Sequence, residues 1–340
     1  MKDNHKKYIQ RTFYLAKKGI GKVAPNPLVG CVIVKNNKII GEGYHKEYGD
    51  KHAEINAINS VSNKKEIDGS SVYINLEPCN HFGKTPPCSD ALLKLKPKEV
   101  IISNKDPNPL TNGKSIKKLI DNNINVKSNI LKEEGEELNK RFFKNQTKKL
   151  PFIILKWAQT SDGFIAKSDG SSKWISNDIS RTLVHKWRSE ELGILVGAKT
   201  VNSDNPKLNV RSWNGKDPIR VIIDPNNRCS NENDILSDSL PTLIYNKKRE
   251  SKVQNKQFVR LLEFDLMNIL KDILSRGISS IMVEGGSFTL QSFIENNLWD
   301  EARVFVSDGK FKNGIKAPKI KLSNPQKIGS DQLYLIKNYA

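Results

Sequence analysis

No stretch of this sequence stays apolar for anything close to the roughly 20 residues that cross a bilayer, so no membrane-spanning helix is expected. The basic opening, Met1-Lys2-Asp3-Asn4-His5-Lys6-Lys7, is not followed by the apolar core of a signal peptide, so secretion is not expected either. Cysteine is scarce. Four in 340 residues do not make a disulfide framework, which leaves a reducing cytoplasm as the expected setting. Aromatic residues are only 7%, and no basic block carries interleaved aromatics, so the stacking platform of a nucleic-acid binder is missing despite a net charge of +19. That charge is mostly Lys, spread along the chain among many Asn and Ile, as an AT-rich genome would encode; a positive field also suits phosphorylated small molecules. There is no Gly-x-Gly-x-x-Gly, so a Rossmann fold is not expected.

What the chain does have is enough length and enough apolar residues for two cores. Hydrophobic residues are 37% and charged residues 27% of the 340, the balance of a soluble globular protein. The polar run Lys144-Asn145-Gln146-Thr147-Lys148-Lys149, followed by Leu150-Pro151, reads as a boundary between domains spanning 1–147 and 150–340.

The densest chemistry lies between His52 and Cys88. His52-Ala53-Glu54 is followed by Glu77-Pro78-Cys79-Asn80-His81-Phe82-Gly83-Lys84-Thr85-Pro86-Pro87-Cys88. One imidazole and two thiols are the ligand types zinc takes in a tetrahedron, and three protein ligands leave the open position of a catalytic site. Glu54 can share that site without ligating, as a general acid/base should. A closed structural site would need a fourth ligand, for which His81 is nearest; buried thiols without metal are the other alternative. His-x-Glu followed by Pro-Cys-x-x-Cys is a zinc deaminase signature, but here eight residues separate the two Cys.

Around this motif the periodicity predicts a helix from His5 to Lys18, a stiff Pro25-Asn26-Pro27 turn that aims Asn26, a hairpin of Cys31–Val34 and Ile39–Gly41 about Asn36-Asn37, and a helix from His52 to Asn63. Strands are expected at Val72–Leu76, Glu99–Ser103 and Ile124–Val126, with a helical turn starting at Pro78 and helices over Ser89–Leu95, Ser115–Asn122 and Leu131–Lys144. This alternation implies a mostly parallel sheet between helices. Asp106-Pro107-Asn108-Pro109 reads as a loop near the sheet's carboxyl edge and is assigned no role.

Beyond the boundary, strands are expected at Phe152–Trp157, Leu192–Val196, Arg220–Asp224, Thr242–Tyr245, Ser280–Glu284 and Leu333–Ile336. Ser176 is expected to cap a helix to about Arg188, Phe264–Leu274 reads as another, and Gly285-Gly286-Ser287 opens a third. Strand, paired Gly and helix N-terminus make a workable phosphate cradle, although a Gly-Gly turn more often only packs.

The first half resembles the deaminase half of the bifunctional riboflavin-pathway deaminase–reductase family, which carries His-Ala-Glu and Pro-Cys-x-His-x-Gly-x-Thr-Pro-Pro-Cys. The second half resembles the reductase half through Lys156–Gly163, Ser172–Ile175, Gly197–Val201, Asp204–Leu208 with Arg211, and Glu284–Gly286. Gln159-Thr160-Ser161 departs from the usual Ser-Leu before Asp-Gly.

The resemblance implies an α/β protein: a cytidine-deaminase-like three-layer domain, then an α/β domain like dihydrofolate reductase. It implies one zinc ion on His52, Cys79 and Cys88, with Glu54 catalytic and Asn26, His45, Ala53, His81 and Lys84 on the deaminase substrate. It implies NADPH on Ala158, Trp174, Thr200, Asp204, Gly285, Gly286 and Ser287. Ser172, Arg188, Leu208, Arg211 and Glu284 would hold the reductase substrate, with Lys156 or Glu284 assisting proton transfer. The expected activity is zinc-dependent deamination of a phosphoribosylamino pyrimidine, then NADPH-dependent reduction of its ribosyl group to ribityl. The expected partners are that phosphorylated substrate and further copies of the chain, as a dimer or tetramer, with no nucleic acid and no membrane. The other readings are a nucleic-acid or nucleoside deaminase with a degenerate second domain, and a non-catalytic protein that kept both folds.

Overall fold

The computed structural model describes residues 2–82, 86–172 and 175–338. The chain divides into two compact units, Met1–Lys149 and Leu150–Ala340.

In the first unit, α1 (Lys2–Lys17) precedes β1 (Gly30–Lys35) and β2 (Lys38–Tyr44); then come α2 (Ala53–Ser60), β3 (Ser71–Leu76), α3 (Cys88–Leu95), β4 (Glu99–Asn104), α4 (Lys114–Asp121), β5 (Asn125–Lys127), α5 (Lys132–Leu138) and α6 (Lys140–Lys148). The five strands form one sheet in the order β2-β1-β3-β4-β5. Its right half, β3-β4-β5, is parallel, but β1 runs antiparallel to both neighbours, so the sheet is mixed rather than mostly parallel. The hairpin is the cause. Asn36 and Asn37 both adopt positive φ, 49° and 61°, which suits a type I′ turn and returns β2 alongside β1.

Strand alternation builds the three layers. Val32, Val34, Tyr73 and Ile101 face Tyr8, Ile9, Phe13 and Leu15 of α1. Cys31, Ile33, Val72, Ile74, Val100 and Ile102 face the other way, against Ala53 and Ala57 of α2, Leu92 of α3 and Leu119 of α4. Gly43 brings α2 onto the strand backbone itself, since a Cβ there would lie 2.2 Å from Ala57 N and 2.5 Å from Ala53 O. Two helix boundaries differ from the sequence expectation. No helical turn starts at Pro78, and the expected single helix over 131–144 is broken at Asn139.

The second unit contains β6 (Phe152–Thr160), β7 (Phe164–Ala166), α7 (Asp178–Glu190), β8 (Gly193–Gly197), α8 (Ala198–Asp204), β9 (Ile219–Ile223), α9 (Asp234–Ser237), β10 (Thr242–Asn246), β11 (Ser251–Val253), β12 (Lys256–Arg260), α10 (Leu266–Ser275), β13 (Ser280–Val283), α11 (Ser287–Glu295), β14 (Glu301–Ser307), β15 (Ile315–Lys316), β16 (Gln326–Ile328) and β17 (Asp331–Lys337). Ten strands form one sheet, β11-β12-β10-β9-β8-β13-β6-β14-β17-β16, parallel from β12 through β14 and antiparallel at both edges.

Ile153, Leu155 and Trp157 point to a face covered by Ile269 and Leu270 of α10 and Phe293 of α11. Phe152 and Ile154 point to the face covered by Val184 and Trp187 of α7. The cap of α7 is Asn177, whose side chain accepts from Ser180 N at 2.9 Å, one residue later than the expected Ser176.

Candidate active sites

In the first unit, three different local structures deliver three donor atoms to one point. His52 is the N-cap of α2, Cys88 is the first residue of α3, and Cys79 sits in the loop after β3. His52 Nδ1 lies 3.6 Å from Cys79 Sγ and 3.4 Å from Cys88 Sγ, and the donor atoms all lie within 4.8 Å of one another. Among the described residues this is the one such His/Cys/acid cluster, and His81 is not in it, so the fourth ligand of a closed site is not supplied.

The donors fit zinc in kind, one imidazole and two thiols. The hydrogen bond with Cys88, followed by His52 and by the Cys88 backbone N–H at 3.2 Å, draws the Cys79 thiol down toward thiolate. Glu54 is buried in the first turn of α2, and burial, then the charge of Cys79, pushes its carboxyl up to about 7.

These groups open into a cavity of about 240 Å³ lined by Asn26, His45, His52, Glu54, Cys79 and His81, with Asp106, Asn108 and Phe142 among the rest of its wall. Asn26 Nδ2 lies 3.1 Å from His45 Nε2, and His45 Nδ1 lies 3.2 Å from Lys51 O, which fixes both ring and amide. The Nδ1 atom of His81 is buried with no hydrogen-bond partner. Ala53, the first residue of α2, is fully buried in the core and does not line the cavity, and Lys84 lies outside the described residues.

Sequence reasoning assigned no role to Asp106, Asn108 and Phe142. Burial pushes the Asp106 carboxyl up to about 7, and the charges of Glu77 and Cys79 add to that against the Asn108 N–H bond. Asn108 sits between two prolines, as Asn26 does, and that repeated pattern was the available signal. Phe142 carried none.

In the second unit, a cleft of about 1190 Å³ opens toward the carboxyl ends of the parallel strands, where ligands of α/β sheets bind. Lys156, Ala158, Ser172, Arg188, Thr200, Asp204, Leu208, Arg211, Glu284, Gly285, Gly286 and Ser287 all line it; Trp174 lies outside the described residues.

Glu284 is the hub. It accepts two bonds from Arg188, at 2.8 and 2.9 Å, and one from Lys156 Nζ at 2.9 Å. Burial opposes its ionisation, but Arg188 and then Lys156 outweigh that and hold the carboxyl well below the usual range. Arg188, which the resemblance implies for the reductase substrate, therefore has its guanidinium fork occupied, whereas Arg211 stays exposed on the cleft wall.

His185, which sequence reasoning missed, is buried on the same wall and accepts from Arg211 N at 3.4 Å. Burial, then Arg188 and Arg211, lowers its imidazole to about 4.

At the α11 N-terminus the Gly286 N–H donates to Thr200 Oγ1 at 2.9 Å, so one amide of the expected cradle is already taken. A Cβ on Gly285 would lie 2.8 Å from Thr289 Cβ and one on Gly286 would lie 3.0 Å from Thr200 Oγ1, so the turn needs bare glycine to pack this closely. The cleft's volume exceeds the roughly 300–1,000 Å³ of single-ligand pockets, which fits a dinucleotide beside a substrate.

The model of the RibD C-terminal domain matches residues 151–308. The model of the cytidine and deoxycytidylate deaminase zinc-binding region matches residues 2–104. The chain is 38% identical to the riboflavin biosynthesis protein RibD of Aquifex aeolicus, over 98% of both chains. It is 36% identical to RibD of Actinobacillus pleuropneumoniae, over 96% of this chain and 93% of that one. Among solved structures it is similar to a diaminohydroxyphosphoribosylaminopyrimidine deaminase/5-amino-6-(5-phosphoribosylamino)uracil reductase from Thermotoga maritima, with TM-score 0.90, 35% identity and 99% of each chain covered.

Proposed function

The chain belongs to the RibD family of riboflavin biosynthesis proteins, and from that premise we propose how its two sites divide the work. It is a bifunctional enzyme, a deaminase in the first half and a reductase in the second, using zinc and NADPH. The first half deaminates 2,5-diamino-6-(5-phosphoribosylamino)pyrimidin-4-one to 5-amino-6-(5-phosphoribosylamino)uracil, and the second half reduces the ribosyl group of that product to ribityl.

In the deaminase site, His52, Cys79 and Cys88 hold zinc. When bound, zinc supplies a Lewis acid that makes water nucleophilic near neutral pH. Glu54 carries the proton: it accepts one as water adds to the amine-bearing ring carbon and delivers it to the nitrogen that leaves as ammonia. Asn26, His45, His81 and Lys84 orient the ring and phosphate, and Ala53 lets α2 approach. The observation that carries this reading is the buried Glu54 beside the three-donor His/Cys/Cys cluster, with Glu54, His52 and Cys79 lining one cavity.

In the reductase site, Ala158, Trp174, Thr200, Asp204 and the Gly285-Gly286-Ser287 turn hold NADPH, which when bound supplies the hydride. Exposed Arg211 takes the substrate phosphate, with Ser172 and Leu208 beside it. Glu284, kept ionised between Arg188 and Lys156, accepts from sugar hydroxyls and is poorly suited to give up a proton. Lys156 is therefore the donor to the opening ring oxygen.

Among the described residues no helix is long and apolar enough to cross a membrane. All four cysteines are free, which supports a reducing, cytoplasmic setting. We infer a homo-oligomer, as the resemblance implies, which light scattering would size.

The test is to incubate zinc-loaded protein with the diaminopyrimidine ribosyl phosphate, with and without NADPH, and follow ammonia and NADPH together. Ammonia without NADPH, then matching NADPH consumption, is the expected result. Chelation should abolish the first signal and spare reduction of the aminouracil supplied directly. NADPH consumption on the diaminopyrimidine without prior ammonia release would overturn the order.

A further inference from the structure

Asn139 stands where the sequence predicts an unbroken helix. It is both the C-cap of α5 and the N-cap of α6, with φ −108° and ψ 21°. An Asn at a helix start normally accepts from the first-turn amides, yet this side chain makes no cap bond. It is buried, at 3% exposure, and reaches back across 111 residues to the main chain of Leu28. Leu28 N–H donates to Asn139 Oδ1 at 2.8 Å, and Asn139 Nδ2 donates to Leu28 O at 3.0 Å.

A second buried amide completes the grip. Asn75 of β3 is fully buried; its Nδ2 donates to Leu28 O at 2.8 Å and its Oδ1 accepts from Gly30 N at 2.7 Å. Between these bonds, Val29 O accepts from His45 N at 2.9 Å. The main chain just after Pro27 is thus clamped on both sides. Asn26 lies two residues before Leu28, and its side chain meets His45. Phe142, on the first turn after Asn139, forms part of the same cavity's wall.

We propose that Asn139 is a positioning residue of the deaminase: it locks the Leu28 main chain so that Asn26 and His45 hold one geometry toward the pyrimidine. This rests on the assignment of Asn26 and His45 to the deaminase pocket. The elbow between α5 and α6 is then part of the site, although it lies beyond the segment matched to the deaminase zinc-binding region.

The test uses full-length zinc-loaded protein. Asn139→Asp keeps the oxygen that accepts from Leu28 N–H and sets a second acceptor against Leu28 O. Expected is a rise of about tenfold or more in deamination KM, with kcat changed by less than about threefold. Bound zinc and NADPH-dependent reduction of the aminouracil should stay at wild-type levels. On an Asn26→Ala background the same change should add little, because both act through one geometry.

An unchanged KM with zinc and reduction intact would overturn the proposal. So would equal penalties with and without Asn26. Loss of zinc or of reduction would make Asn139 a scaffold residue and overturn it as well. Wild-type protein that releases no ammonia would remove the deaminase reading itself, and the inference with it.

Discussion

The two sites solve opposite problems with the same kind of sheet. The deaminase site is a small cavity of about 240 Å³ whose reactive groups come from two short stretches, His52–Glu54 and Cys79–Cys88. The reductase site is a cleft of about 1190 Å³ whose residues are scattered from Lys156 to Ile315 and gathered by the order of the parallel strands. In the first, chemistry is local and packing supplies aim. In the second, a buried ion-pair hub at Glu284 sets the geometry. One chain therefore carries a site that can be switched off by single atoms and a site that depends on a shared network.

The sharpest way to use this contrast is Glu54→Gln. It should lower ammonia release by about 10²–10⁴-fold, keep zinc, and leave NADPH consumption on the aminouracil untouched. Near-normal deamination in that variant would break the assignment of Glu54.

Glu284→Gln should act in the opposite half and act differently. It strips the carboxylate from Lys156 and Arg188, which are 14% and 10% exposed, so unfolding as well as reduction should suffer. Breaking a buried pair costs about 3–5 kcal/mol, which chemical denaturation would read, while ammonia release persists. Loss of reduction without loss of stability would show that the network is less cooperative than its geometry.

The smallest expected effect is in pH dependence. His185 is held neutral to about 4, below its unfolded value of about 6.5, so between those values the unfolded chain binds the extra proton and the second unit gains stability as pH rises. Asp106 is raised to about 7 from about 3.9 unfolded, so in the same window the folded chain binds the proton and this group makes the first unit lose stability as pH rises. Peptide-resolved hydrogen exchange should show opposite slopes around α7 and around the Asp106 loop. His185→Gln and Asp106→Asn should each flatten their own.

The contrast also explains what could be read beforehand. His52, Glu54, Cys79 and Cys88 are legible because their spacing is the chemistry. The Cys79 environment was placed wrongly only in detail: a Pro is welcome at a helix start, but no helix begins at Pro78 and the next one starts at Cys88. Asn139 was hidden because the apolar period runs through it and nothing nearby names Leu28 as its partner.

His185 was hidden inside an otherwise ordinary amphipathic helix. Strand β14 escaped notice although Val304 and Phe305 are buried and Asn296-Asn297 and Asp308-Gly309 bracket it. Strand β12 begins with a buried Lys256 that pairs with Asp238, a charge where a strand core would be apolar. In each case the deciding partner is distant in sequence.

Around Glu284, two cations meet one carboxylate. Folding by itself leaves that corner one anion short, and under the proposed function a substrate phosphate on nearby Arg211 would bring the missing charge. Occupancy and unfolding of the reductase unit are therefore linked: a ligand at a hundred times its Kd adds about 2.7 kcal/mol to the folded state. The cleft is then a small thermometer of its own substrate, with the melting point of one half of the chain reporting how much phosphorylated intermediate surrounds it.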